Sequence, residues 1–531
     1  IIGYQRTYGS EQLAEVTESD GSGKSVFESV KANRNEAEGV KLLPGISSSN
    51  VPTKAFESSN TFTLTVSTSG NSDSNLFVET NNVPIQADIY AGGIIGYCES
   101  RSKLIVKNCL NNGNLTNTSG NKTVQMNHYI QAEVDNNFSN SSENPSIHLV
   151  GGIISANLEN QIIDHCSNSG SMSGYTGTGG VVGLNAGLIV NCKLDEHFGN
   201  AALNYLGGIA GINVGNSEET VSNKTYRAIN YKTGTITKCS TLSGKTISGK
   251  NNVGGIVGWN LPNATLTENI GGANLSGTGD AVGGIAGRNS GVIEAVSYTP
   301  NGTSVQKISS NGTAVGGLVG INEASGTIQA KAGTGTDSEL VVVGSNVSVN
   351  GKQYVGGIVG INYGQFGGND RAYLTCTATQ VRAAQGIVGG IVGETNGNIV
   401  HAVNKSGNVT ADAGAAGGIT ATVQAGQTIS DCKNYGSVRS SAGYAGGIAA
   451  TNAGTIKDCM VQGTTEGTKV TNAQISSLGV DEIGAIAAVN ETSGVIESSA
   501  PGANVKLKSD GTKFGGITGK NEGTVQNATL T

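Results

Sequence analysis

The stretch Val253-Gly254-Gly255-Ile256-Val257-Gly258-Trp259-Asn260 decides the reading of this chain. It holds a glycine pair, a large aliphatic residue, a small or β-branched residue, a third glycine and, two places on, an asparagine. The same phrase recurs through the sequence, giving thirteen copies with a worn one at Gly484-Ala485. The other glycine pairs begin at Gly92, Gly151, Gly179, Gly207, Gly283, Gly316, Gly356, Gly389, Gly417, Gly446 and Gly515. The shortest step between copies is 28 residues, and longer steps such as the 47 from Gly207 to Gly254 read as that unit plus an inserted loop. A fixed period with insertions marks a repeat array.

The residue after the pair is always large and aliphatic, as at Ile256, Ile285, Leu318 and Ile358. A position this uniform within one chain is one that stacks on its own copies. The unit is too small to bury a face alone, so it must pack on its neighbours. Frequent glycines and short apolar pairs disfavour helices, and Ile, Val and Thr at the apolar positions favour strands. The unit from Gly417 shows three legs: Gly418-Ile419-Thr420, Gln427-Thr428-Ile429-Ser430-Asp431-Cys432 and Gly436-Ser437-Val438. The expected fold is therefore all-β, a parallel β-solenoid (β-helix) of about 28-residue, three-strand coils with inserted loops. Thirteen coils one strand spacing apart would make a rod about 60 Å long.

The phrase resembles the GLUG repeat of bacterial surface proteins, whose pattern runs Gly-Gly-Leu-Val-Gly-x-Asn and which occurs in parts of some immunoglobulin A peptidases and adhesins. Gly316-Gly317-Leu318-Val319-Gly320-Ile321-Asn322 fits that pattern letter for letter, and the resemblance covers residues 92–531 with Ile mostly replacing Leu. It implies a β-solenoid repeat region of an extracellular, cell-surface or secreted protein, and it implies no particular activity.

A solenoid grows along one axis, so 531 residues do not count domains here. We divide the chain into residues 1–91, a partial first coil with a large insertion or small side domain, and residues 92–531, the repeat array. Ile1-Ile2-Gly3-Tyr4 repeats Ile94-Ile95-Gly96-Tyr97, so the first residues read as mid-coil and the chain as a section of a longer protein. Gly at 82 residues and aromatics at 5% suit a structure built from backbone and small side chains. A net charge of −7 gives no footprint for nucleic acid, and no apolar run reaches the 18 or so residues of a membrane span.

Candidate chemistry is sparse. The asparagines closing the phrase, among them Asn260, Asn289, Asn322 and Asn362, read as a structural ladder of stacked amides. Cys166, Cys192, Cys432 and Cys459 share one register, and Cys109, Cys239 and Cys376 have the same local setting, which reads as a buried column of small side chains rather than disulfides. There is no Cys-x-x-Cys or His-Glu-x-x-His, so no metal or cofactor site is expected. Asp164, Asp431 and Asp458 share a register near the cysteines and read as turn carboxylates. Tyr90, Tyr205, Tyr354 and Tyr444, each two residues before a glycine pair, read as packing. Four longer excursions lie at 114–146, 216–232, 332–350 and 462–481, with Leu340-Val341-Val342-Val343 expected as an added strand. The candidate recognition loop is Tyr226, Arg227, Tyr231 and Lys232. Inserted loops often emerge on one face and bind there.

These features point to a non-enzymatic structural or adhesive rod. Its expected partners are itself, end to end or laterally, neighbouring segments of the same long protein, or a host protein or glycan. Two other readings stand beside it. One is a carbohydrate-active β-helix enzyme, a polysaccharide lyase or hydrolase, using carboxylates such as Asp431 and Asp458. The other is a host-binding module acting through the inserted loops.

Overall fold

The computed structural model describes residues 2–6, 64–66, 79–81, 85–87, 90–99, 104–117 and 148–529, except 159–160, 175, 198, 200–203, 216–218, 222–223, 227–233, 336, 369–370, 467–468, 479–481 and 512. Among them there is no helix, and the chain winds as a parallel β-solenoid. Each of the expected legs is present, but two of them are bent, so a full coil carries five short strands. One coil shows the plan: Asn251–Gly254 in sheet I, Val257–Asn260 in sheet II, Thr265–Thr267 in sheet III, Ile270–Gly271 in sheet IV and Asn274–Gly277 in sheet V. Sheets I to V hold 13, 14, 14, 13 and 9 strands, and a further three-stranded run occupies the place of sheet V in the first coils. Ile2–Arg6 already lies in sheet II, with Ile2 beside Ile95 and Tyr4 beside Tyr97.

The glycine pair makes the bend between sheets I and II. None of the paired glycines adopts a left-handed backbone; close approach is what requires them. A Cβ on Gly254 would stand 1.9 Å from the carbonyl oxygen of Val257, and one on Gly255 2.0 Å from that of Gly284 in the next coil. Past the bend the aliphatic column forms as the sequence requires. Ile256, Ile285, Leu318 and Ile358 are at most 1% exposed. The N–H of Ile256 donates to the carbonyl of Ile285 at 2.9 Å, Ile285 to Leu318 at 2.8 Å and Leu318 to Ile358 at 2.8 Å. Burial of one such side chain contributes roughly 1.5–3 kcal/mol, and the column runs the length of the array inside one continuous core.

The second bend, between sheets III and IV, uses a different device. A single residue turns left-handed, among them Asn191, Lys238, Glu268, Ala295, His401, Asp431, Asp458 and Ser498, with φ between 48° and 55°. The next residue then points inward, which is why Cys109, Cys166, Cys192 and Cys239 stack on successive coils and Cys432 on Cys459. Two register readings need correction. Cys376 pairs with Asn404 in sheet IV, outside the cysteine column. Asp164 pairs with Val190 inside sheet III, one place before the left-handed position that Asp431 and Asp458 occupy.

The excursions also differ from expectation. Glu339–Val343 is not an added strand; it is the sheet IV strand of its own coil, lengthened by a bulge. Nor do the loops share one face. The insertion around 216–233 leaves between sheets II and III, that around 331–338 between III and IV, and that around 462–472 between IV and V.

Candidate functional site

The asparagine that ends the phrase sits at the corner between sheets II and III, with its amide inside the rod. Asn260 Nδ2 donates to Asn289 Oδ1 at 2.8 Å, Asn289 to Asn322 at 2.7 Å and Asn322 to Asn362 at 2.8 Å. Each amide also closes its own turn, as where Asn289 Nδ2 donates to the Gly291 carbonyl at 3.1 Å. All four are fully buried, so the ladder is structural, a cross-β amide row at the coil spacing. It runs from Asn157 to Asn362, ends on Thr395 Oγ1, is interrupted at Val423 and resumes at Asn452. A second amide row in sheet IV escaped the sequence reading: Asn111 donates to Asn168 at 2.6 Å and Asn404 to Asn434 at 2.8 Å.

The residue between the third glycine and the asparagine faces outward, into an angle closed by sheet I. The third glycine lets the two sheets meet backbone to backbone: a Cβ on Gly258 would lie 2.4 Å from the carbonyl carbon of Tyr205. The angle forms a gutter along the rod with its own small cores. Leu184 and Ile212 lie in one, Ile321 and Ile361 in another, all nearly inaccessible. Between them the chain's one tryptophan, Trp259, stacks on Tyr205 with centroids 5.6 Å apart. Its Nε1–H donates to Ser290 Oγ at 3.1 Å, and the Arg288 guanidinium lies 5.8 Å from its ring centre. Arg288 also donates to Asn252 Oδ1 at 3.2 Å and pairs with Glu323.

Further along, Tyr354 and Tyr363 stand beside Glu394. The Glu394 carboxylate and burial hold the Tyr354 phenol above its ordinary range; burial, then Glu394, does so for Tyr363. Still further, the gutter opens into a cleft of about 560 Å³ lined by Tyr444, Thr451, Val489, Glu491, Ser493 and Glu522. Three of the four tyrosines read as packing thus occupy the gutter wall: Tyr205 is part of a stack, Tyr354 is partly buried, and Tyr444 lines the open cleft, while the side chain of Tyr90 lies outside the described ones. The polar groups of the gutter are largely engaged with one another, as in Arg288–Glu323 and Lys520–Glu522 at 2.7 Å.

Elsewhere the sequence candidates disperse. Tyr226 ends a hairpin, Glu219–Val221 against Lys224–Tyr226, that pairs only with itself, while Arg227, Tyr231 and Lys232 lie outside the described residues. Asp431 sits on a turn with its carboxylate 4.0 Å from His401 Nε2, and His401 is stacked on Tyr373 and bonded through Nδ1 to the Arg371 carbonyl at 2.7 Å. Cys109, Cys166, Cys192, Cys239, Cys376, Cys432 and Cys459 are free thiols. Burial pushes Cys192 and Cys432 well above the ordinary thiol range and Cys376 up to about 11, the opposite of an activated nucleophile, whereas at Cys166 burial is overcome by hydrogen bonds with Cys109 and Cys192, which hold it well below that range. Among the described residues no group of three His, Cys, Asp or Glu is placed to hold a metal ion. No family model, no curated protein and no solved structure matches the chain.

Proposed function

We propose that this chain is a structural and adhesive rod, a non-enzymatic section of a longer extracellular protein of the GLUG-repeat kind, displayed on or shed from a bacterial surface. The observation that carries the reading is the continuity of its columns. One register of isoleucines and one of asparagines pass from coil to coil through backbone and amide hydrogen bonds, while the groups that chemistry would need are spread over turns and paired locally. Such an array suits load-bearing and display, because each coil is held by its immediate neighbours along the stack.

Two experiments test it. Antibodies raised against the chain should label intact cells of the source organism; a signal confined to the cytosolic fraction would overturn the location. Pulled from its ends, the rod should yield in successive steps of about one coil, near 100 Å of released chain. Collapse in one event at low force would remove the load-bearing role. The lyase or hydrolase reading would replace it if acidic polysaccharides gained new reducing or unsaturated ends and Asp431→Asn or Asp458→Asn abolished that activity.

A further inference from the structure

The outward face of sheet V differs from the rest of the rod. Its strands alternate in most coils, with one residue in and the next out, as in Gln380–Ala383 and Ser437–Ser440, while Ser348 and Ser476 at outward positions are nearly covered. Pairing aligns the outward residues into two columns parallel to the axis. One passes through Lys307, Ser348, Gln380, Asn408 and Ser437. The other passes through Asn350, Arg382, Thr410, Arg439, Ser476 and Lys508. In a chain of net charge −7, the two columns hold no carboxylate and no apolar residue. Every outward position is Ser, Thr, Asn or Gln, or one of the cations Lys307, Arg382, Arg439, Lys506 and Lys508.

The cations are regularly placed. Arg382, Arg439 and Lys508 stand on alternate coils of one column, which puts them about 9.6 Å apart at twice the strand spacing. Arg382 makes a bidentate pair with Asp412 at the neighbouring corner, through Nε at 3.2 Å and through Nη2, which leaves Arg439 and Lys508 as the unpaired cations of this column. Arg439, Lys506 and Lys508 are exposed and have no ion-pair partner among the described residues. The corner beside the face carries both signs, Lys250 and Lys352 with Asp280, Asp412 and Asp510.

We propose that this face binds an extended acidic polysaccharide lying parallel to the rod axis. A row of hydroxyls and amides matches a polymer covered in hydroxyls, and sparse cations at about the length of a disaccharide match one acidic group per disaccharide. Nucleic acid fits less well. Duplex DNA presents a charge about every 1.7 Å of its axis, far denser than this row, and the face offers no aromatic ring on which a single strand could stack. The proposal goes beyond the rod reading and does not depend on it, since a rod without this surface would fold and bear load equally well.

The test is binding of the whole chain to hyaluronan, which carries one carboxylate per disaccharide, and to chondroitin sulfate, which adds a sulfate, with dextran and single-stranded DNA as comparisons, over a salt series. Hyaluronan, chondroitin sulfate or both should bind, more weakly as salt rises, and dextran should not. Binding of hyaluronan identifies carboxylate as sufficient, and binding of chondroitin sulfate alone identifies sulfate as the group read. The triple variant Arg439→Ser, Lys506→Gln, Lys508→Ser should bind at least tenfold more weakly with an unchanged melting temperature. Lys193→Ser, on sheet IV, should bind as the parent does. Undiminished binding by the triple variant, equal binding of dextran, or no binding of either polyanion overturns the proposal. Tighter binding of DNA than of both polysaccharides would replace it with a nucleic-acid surface.

Discussion

At the scale of single residues, the fold rests on side chains that repeat because their neighbours in the next coil are copies of themselves. Asn322 accepts from Asn289 and donates to Asn362 while fully buried. Asn322→Ala leaves an acceptor and a donor unpaired, at roughly 1–3 kcal/mol each, and hydrogen exchange around residue 322 should accelerate to match. Protection equal to the parent's would show that the ladder contributes little. The ladder's gap allows a second test. Thr395 and Val423 interrupt it, and Asn452 Oδ1 is left without a partner. Thr395→Asn and Val423→Asn together should be more favourable than the sum of the singles by about 1 kcal/mol in a double-mutant cycle, and zero coupling would contradict the amide row. The thiols give a pH dependence. Burial raises Cys192 and Cys432, takes Cys376 to about 11 and raises the Tyr298 phenol as well, outnumbering the downward shift at Cys166, where burial is overcome by hydrogen bonds with Cys109 and Cys192. A thiol in the unfolded chain ionises near 8.5. Because the folded values lie higher, this contribution to stability is complete below that pH and is lost as pH rises from about 8.5 toward about 11. The melting temperature should fall across that window, and thiol reagents should label the native chain at Cys192, Cys239 and Cys432 only after unfolding. Rapid labelling of any of them at pH 7 would be incompatible with the column.

At the scale of elements, how much the sequence revealed depended on whether a bend has a residue signature. The bend at the glycine pair does, since only glycine fits where Gly284 O lies 2.0 Å from the would-be Cβ of Gly255. The bend between sheets III and IV does not. Its left-handed position holds Asn191, Lys238, Ala295, His401 and Ser498 alike, so the leg containing it read as one strand. The gutter was hidden for the same reason: its outward position passes from Ile212 to Trp259, Arg288, Ile321, Ile361 and Glu394, and such variety looks like surface until sheet I is seen to cover it. The hairpin Glu219–Val221/Lys224–Tyr226 pairs with nothing in the coils, whose own ladder joins Leu188 directly to Thr235. Replacing 217–232 by a short flexible linker should therefore leave the melting temperature within a degree or two, within the usual effect of a surface change. A melt of the whole array would mean that the hairpin is part of the core.

At the scale of the whole molecule, the coils form a one-dimensional stack, and stability should vary along it. Native-state exchange should be slowest for amides of the central coils, near Ile285 and Leu318, and faster toward either end, because interior coils have two neighbours and terminal ones have one. Uniform protection along the chain would indicate a single cooperative unit. The stack also has a direction. From Asn157 through Asn185, Asn213, Asn260, Asn289 and Asn322 to Asn362, every ladder amide hands its proton the same way. Aligned amide dipoles add head to tail, as they do in a helix. The ladder is therefore electrically polar along its length, a direction that the sheets around it, with their small net dipoles, do not share.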